Sequence, residues 1–153
     1  MVAAVDSNPK RVKMLKENIQ RMGASIVRPY TADILRLRGT GGMRDFDRVL
    51  LDAPCSNQGV LSKRVEARWR LQPEDIPRLA ELQLRMLTAA ARLVKPKGAL
   101  VYSTCSVDRD EDEAVVERFL RSHKNYSLEK MFKTWPHSDK IDGAFAARFT
   151  RAT

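Results

Sequence analysis

Cysteine and histidine are scarce in this chain, which holds only Cys55, Cys105, His123 and His137 of these two types. Neither cysteine belongs to a Cys-x-x-Cys pair, and structural zinc calls for such ligand spacing, so no metal is expected. Long apolar runs are missing too. None approaches the roughly 18 residues of a membrane span, and no membrane role is expected. The N-terminal Met1-Val2-Ala3-Ala4-Val5-Asp6 lacks the basic start and long apolar stretch of a secretory signal, which makes the cytoplasm the expected compartment. A disulfide is disfavoured there, leaving either inert buried thiols or reactive ones.

What is present is ordinary for a globular protein. With 153 residues, 43% hydrophobic and 31% charged, residues 1–153 are expected to form a single domain around one core. Positive charge prevails: 28 Lys and Arg against 19 Asp and Glu give a net +9, concentrated in the first two-thirds of the chain. Such a surface suits a polyanion, because each neutralised phosphate releases counterions. A generic basic protein would show the same excess.

The apolar pattern alternates between strand and helix signals. Residues 2–5 read as a strand, and Asp6-Ser7-Asn8-Pro9 supplies a turn, an N-cap candidate and a proline for the first helical turn. Val12, Leu15, Ile19 and Met22 recur at helical spacing before Gly23. A short strand is predicted at 25–28, with Asp33 in the loop beyond it, and Gly39-Thr40-Gly41-Gly42 reads as a flexible loop. Phe46 to Leu51 predicts a buried strand. Asp75 is a cap candidate for a helix with Leu79, Leu82, Met86, Ala90 and Leu93 on its apolar face, stopped by Lys95-Pro96-Lys97-Gly98. Ala99 to Tyr102 predicts a fourth strand. Asp108 with Glu111 resembles an acidic capping box for another helix, and strands are plausible at 126–131 and 144–149. The alternation indicates an α/β fold with a parallel sheet.

In such sheets ligands bind beyond the carboxyl ends of the strands. Asp6, Asp52 and Cys105 fall at three such ends and Asp33 falls just past a fourth. An Asp after a strand is commonly only a turn or cap residue, so the coincidence carries the argument. A carboxylate at Asp6 is placed to accept hydrogen bonds from a ribose diol. Pro54-Cys55-Ser56 and Thr104-Cys105-Ser106 both follow strands, and neighbouring parallel strands would bring the two thiols together. Two inert buried cysteines remain the plain alternative.

Leu51-Asp52-Ala53-Pro54-Cys55-Ser56 and Tyr102-Ser103-Thr104-Cys105-Ser106 resemble the two cysteine motifs of the Sun (Fmu) type of RNA 5-methylcytosine methyltransferases. Ala67-Arg68-Trp69-Arg70-Leu71, Pro73-Glu74-Asp75-Ile76 with Gln83, and Asp142-Gly143 with Phe145 are similar to its members as well. The resemblance covers essentially the whole chain. It implies a Rossmann-like methyltransferase fold, S-adenosylmethionine as cofactor, and RNA, above all ribosomal RNA, as partner. Cys105 matches the nucleophile that adds to carbon 6 of cytosine, Cys55 the cysteine that assists release, and Asp52 a carboxylate near base and cofactor. Asp6, Arg11, Asp33 and Asp52 match cofactor-contacting positions. Lys63, Arg64, Arg68 and Arg70 with Trp69 are candidates to hold RNA, or else form a solvated basic loop beside a core tryptophan.

The match also departs from the family. Its first strand and the glycine-rich loop ending Gly-Gly-Lys have no counterpart before Met1, so the fold is expected to be incomplete, a partial catalytic domain. Asn57-Gln58 stands where glycine and threonine are common, Val65 for proline, Asp112 for asparagine and Ala144 for phenylalanine. A rival expectation is a non-catalytic remnant that keeps an RNA-contacting surface. A metal or disulfide protein built on the four Cys and His residues is the third.

Overall fold

A computed structural model describes residues 1–37 and 43–153. The glycine-rich stretch Gly39-Thr40-Gly41-Gly42 lies outside the described residues. The chain packs as two compact units, Met1–Gly41 and Gly42–Thr153.

In the first unit, β1 (Val2–Asp6) and β2 (Val27–Thr31) pair in parallel, with Asp6 opposite Thr31. Between them runs α1 (Pro9–Met22). Its start follows the expected chemistry: Asn8 caps it by accepting from the Lys10 amide, and Pro9 takes the first helical position. Gly23 ends it in the left-handed conformation, φ 65°, its amide bonded back to the last turn. Val12 is the buried residue of this helix. The predicted second strand is displaced to Val27–Thr31, and a single 3₁₀ turn, Ile34–Arg36, follows it.

The second unit holds a four-stranded sheet in the order β3-β4-β6-β5. β3 (Phe46–Asp52) and β4 (Val94–Thr104) are parallel, whereas β6 (Ala144–Arg151) runs antiparallel to β4 and to β5 (Tyr126–Thr134). The sheet is therefore mixed rather than wholly parallel. The cause is the short link between β5 and β6, which holds only the one-turn α5 (Pro136–Asp139) and cannot make the long crossover that parallel neighbours require. A short helix, α2 (Ala67–Arg70), and the long α3 (Asp75–Ala91) fall between β3 and β4; α4 (Glu113–Ser122) leads from β4 to β5.

Leu87 and Ala90 of α3, Val115 and Phe119 of α4, and Leu100, Tyr102, Ala147 and Phe149 of the sheet are all 0% exposed. Phe119 meets Phe149 edge-on at 5.1 Å. This is the core on which the strand ends stand. Leu50 departs from expectation: β3 is not buried throughout, since Leu51 is buried while Leu50 is 68% exposed. Successive strand side chains point to opposite faces, and only the Leu51 face is covered.

The expected stop of α3 differs, since the helix ends at Ala91 and Lys95-Pro96-Lys97-Gly98 lies within β4, and two expected helix starts differ as well. Asp75 lies inside the first turn of α3 and its carboxylate accepts from the Gln72 amide, so it fixes the preceding turn. Asp108 closes its own turn onto the Asp110 amide, and α4 begins only at Glu113. Glu111 is no capping residue; it is fully buried and turned elsewhere.

Candidate active site

The register of β3 against β4 assembles the thiol pair. Asp52 sits opposite Ser103, the Ala53 amide bonds to the Ser103 carbonyl at 2.9 Å, and the two chains then leave the sheet side by side. Cys55 Sγ and Cys105 Sγ meet at 3.0 Å, with both residues partly exposed. Alternation decides which atoms face out: Thr104 and Ser106 point into the protein, and Cys105 between them does not.

Polar groups hold the sulfurs. The Cys105 amide donates to Cys55 Sγ at 3.3 Å, and the Cys105 thiol lies 3.0 Å from Asn57 Oδ1. Asn57 Nδ2 donates to the Cys55 carbonyl at 3.1 Å. Asn57 itself adopts the left-handed conformation, φ 61°. Glycine is at ease there and asparagine is the next best tolerated, so the exchange noted in the sequence preserves the loop's shape. Ser103 Oγ reaches Asp52 Oδ1 at 3.3 Å, beside the pair.

This arrangement divides the thiols. The hydrogen bond from Cys55 lowers the Cys105 pKa to about 7, helped by its own backbone amide and opposed by burial and by the charges of Asp52 and Glu111. Donating that bond pushes the Cys55 thiol well up, and burial adds to the effect. The proton therefore stays on Cys55 and Cys105 is the readier thiolate.

Beneath the pair lies a buried polar layer that reading the sequence missed. Glu111, 0% exposed, accepts from the Ser56 amide and from Gln83 Nε2, each at 2.9 Å. It also accepts from the hydroxyls of Ser56 and Ser106. Gln83 Nε2 donates as well to the Pro54 carbonyl at 2.9 Å. Next to it Thr104 Oγ1 donates to Asp112 at 2.6 Å. The other Asp112 oxygen has no well-formed hydrogen bond, although Lys133 Nζ stands 3.0 Å away as an ion-pair partner. One signal for this layer was available: Gln83 is a polar residue in the apolar stripe of α3.

Backbone packing closes the site from below. The Gly59 amide donates to the Cys105 carbonyl at 2.9 Å and the Gly143 amide to the Gly59 carbonyl at 2.7 Å. A Cβ on Gly59 would stand 2.8 Å from that Cys105 oxygen, so only glycine allows the approach.

In the first unit, Asp6 and Asp33 lie at the same ends of β1 and β2. Asp6 accepts from the Asn8 amide at 2.7 Å and pairs with Arg11 Nε at 3.0 Å. Asp33 accepts from the Leu35 amide at 2.9 Å. Both are half-buried, and each carboxylate keeps capacity for a further donor, which fits a diol or an amine of a nucleoside.

Trp69 is 78% exposed and so is not a core tryptophan. Lys63 pairs with Asp142 and Arg64 with Glu66. Lys63 also lines an open groove of about 890 Å³ with Phe132, Lys140 and Ile141. Among the described residues no cluster of three metal-binding side chains occurs, and no helix is long and apolar enough to cross a membrane.

Residues 1–150 match the family model described as 16S rRNA methyltransferase RsmB/F. The chain is 40% identical over 133 residues to the probable ribosomal RNA small subunit methyltransferase B of Bacillus subtilis, covering 84% of this chain and 30% of that protein. The similarly described protein of Synechocystis is 34% identical over 167 residues, covering 99% and 37%. Among solved structures, PH0851 superposes with a TM-score of 0.90 at 37% identity over 96% of this chain and 36% of that one. NSun6 from Pyrococcus horikoshii with SFG gives 0.88 at 28% identity, over 99% and 41%. The chain thus spans about a third of the length of these relatives.

Proposed function

Because the chain belongs to the RsmB/F family of 16S rRNA methyltransferases, we propose that it carries the catalytic residues of an enzyme that methylates carbon 5 of cytosine in RNA through a cysteine adduct. The observation that carries this reading is the 3.0 Å contact between the Cys55 and Cys105 sulfurs. A thiol pair in which one member is depressed to about 7 and the other raised suits one sulfur to attack and the other to handle a proton.

Carbon 5 of cytosine is a weak nucleophile until a thiolate adds to carbon 6 and makes the ring an enamine. Cys105 is assigned that addition. Asp52, exposed beside the pair, is assigned donation of a proton to ring nitrogen 3, which lets the ring accept the electron pair and is reversed when the ring is restored. S-adenosylmethionine supplies the electrophilic methyl group in this reading, with Asp6 on its ribose, supported by Arg11, and Asp33 toward its adenine; Asp52 also matches a cofactor-contacting position. After methylation the carbon 5 proton passes to the Cys55 sulfur, its electron pair re-forms the ring double bond, and the carbon–sulfur bond breaks as the proton Cys55 already held passes to the departing Cys105 sulfur. Cys55, in contact with that sulfur, is assigned the proton relay. One family match across both compact units favours treating them as parts of one methyltransferase domain. Lys63, Arg64, Arg68 and Arg70 with the exposed Trp69 supply cations and a stacking face for RNA.

The test is transfer of labelled methyl from S-adenosylmethionine to small-subunit ribosomal RNA by the full gene product that carries this sequence. Cys105→Ala abolishes transfer, whereas Cys55→Ala lets a covalent protein–RNA adduct accumulate on a denaturing gel. Equal loss in both variants with no trapped adduct overturns this division of labour. Salt-sensitive RNA binding without calorimetric binding of S-adenosylmethionine would instead identify a non-catalytic remnant.

A further inference from the structure

Glu111 takes donors from both cysteine loops and from the helix behind them. Its Oε1 accepts from the Ser56 amide and Gln83 Nε2, and its Oε2 from the hydroxyls of Ser56 and Ser106. Ser56 follows Cys55, Ser106 follows Cys105, and Gln83 also holds the carbonyl of Pro54, the residue before Cys55. Lys133, the nearby cation, sits on Asp112 and Glu113 instead. A carboxylate taken wholly out of water is costly unless donors fill its lone pairs. Here those donors come from the thiol loops and from Gln83 of α3 rather than from the amides of α4, where a capping acid would find them. Glu111 is itself anchored, since the Tyr102 hydroxyl of β4 donates to its carbonyl at 2.6 Å.

We propose that Glu111 is a positioning residue: its buried carboxylate clasps the loop after Cys55 to the loop after Cys105 and so sets the contact between the two sulfurs. The proposal rests on the reading of these thiols as the reacting pair, but it is a statement about their geometry and can be tested without RNA. Removing the clasp lets the loops part. Cys105 then loses the hydrogen bond from Cys55 that favours its thiolate. Removing only the charge acts the other way, because the Glu111 charge disfavours a thiolate at Cys105. Position and charge therefore predict opposite shifts.

The experiment measures the pH dependence of Cys105 alkylation by iodoacetamide, site-resolved by mass spectrometry, in the full protein. The wild type should reach half its maximal rate near pH 7. Glu111→Gln, which keeps the shape and can still bridge the loops while its serine partners turn, should leave this midpoint in place or lower it. Glu111→Ala should raise it toward that of an ordinary thiol, about 8.5, and slow disulfide formation between Cys55 and Cys105 in oxidised glutathione. On methyl transfer, kcat should fall by about a hundredfold for an ångström-scale misplacement, with KM little changed. A midpoint in folded Glu111→Ala that stays at or below the wild-type value overturns the proposal, as does equal disulfide formation. If Glu111→Ala does not fold, Ser106→Ala removes one arm of the clasp, and an unchanged midpoint there overturns it equally. Should Cys105→Ala retain methylation while the Glu111 variants split as described, the functional reading fails and the clasp stands.

Discussion

The two compact units hold their candidate residues by different means. In Gly42–Thr153 the thiol loops stand on fully buried Leu100, Tyr102 and Phe149 and are joined by the Glu111 layer. In Met1–Gly41 the one buried residue among those described is Val12, and Asp6 and Asp33 are kept in place by bonds to amides two residues on. Two sulfurs in contact demand a fixed distance between separate loops, and tertiary packing supplies it. A carboxylate that accepts hydrogen bonds from a mobile ligand needs only the right place at a strand end, which a local turn provides.

The largest expected effect falls on the packed side of this contrast. Phe119 stacks on His123 at 4.3 Å and meets Phe149 at 5.1 Å and Tyr126 at 5.4 Å. Phe119→Ala should cost about 3–5 kcal/mol by deleting a buried aromatic and leaving a cavity. Urea denaturation checks it, and a loss below about 1 kcal/mol would remove the claim that packing carries the thiol site.

A somewhat smaller effect follows from the acid beside the clasp. Burial lifts the Asp112 carboxyl to about 6, with Thr104 and Lys133 pulling the other way. The folded protein then keeps a proton that the unfolded chain releases near pH 4. The stabilisation is fully present below pH 4 and is lost as pH rises through about 6, amounting to roughly 3 kcal/mol. Stability of wild type relative to Asp112→Asn, followed by denaturant melts from pH 4 to 7, should fall along that course. A flat difference would mean that Lys133 fully compensates the buried charge.

The parts legible in the sequence were those with a local signature. Asn8-Pro9 and Gly23 bounded α1, apolar runs marked β3 and β4, and a cysteine after each run placed both thiols at strand ends. The Glu111 layer was not legible, because an acid three residues after Asp108 and just before an apolar helix looks like a capping box. Its partner Ser56 is 55 residues away in the chain, and no local pattern joins them. The exposure of Leu50 and the reversed direction of β6 depend on which strands are neighbours, which periodicity does not encode. The short link from β5 to β6 was the available hint of an antiparallel pair.

The smallest effect tests the lightly packed side. Asn8 Oδ1 accepts from the Lys10 amide at 2.9 Å and caps α1, while the Asn8 amide donates to Asp6. Asn8→Ala removes the cap but keeps the backbone donor, so Asp6 retains its turn while α1 frays. The expected cost is about 1 kcal/mol. Hydrogen exchange at the first-turn amides of α1 should then quicken about fivefold, with the α4 amides unchanged. Quickening confined to α1 would mark the Asp6 turn as locally held; matching acceleration in α4 would show that the two regions share their stability and that the contrast drawn between them is false.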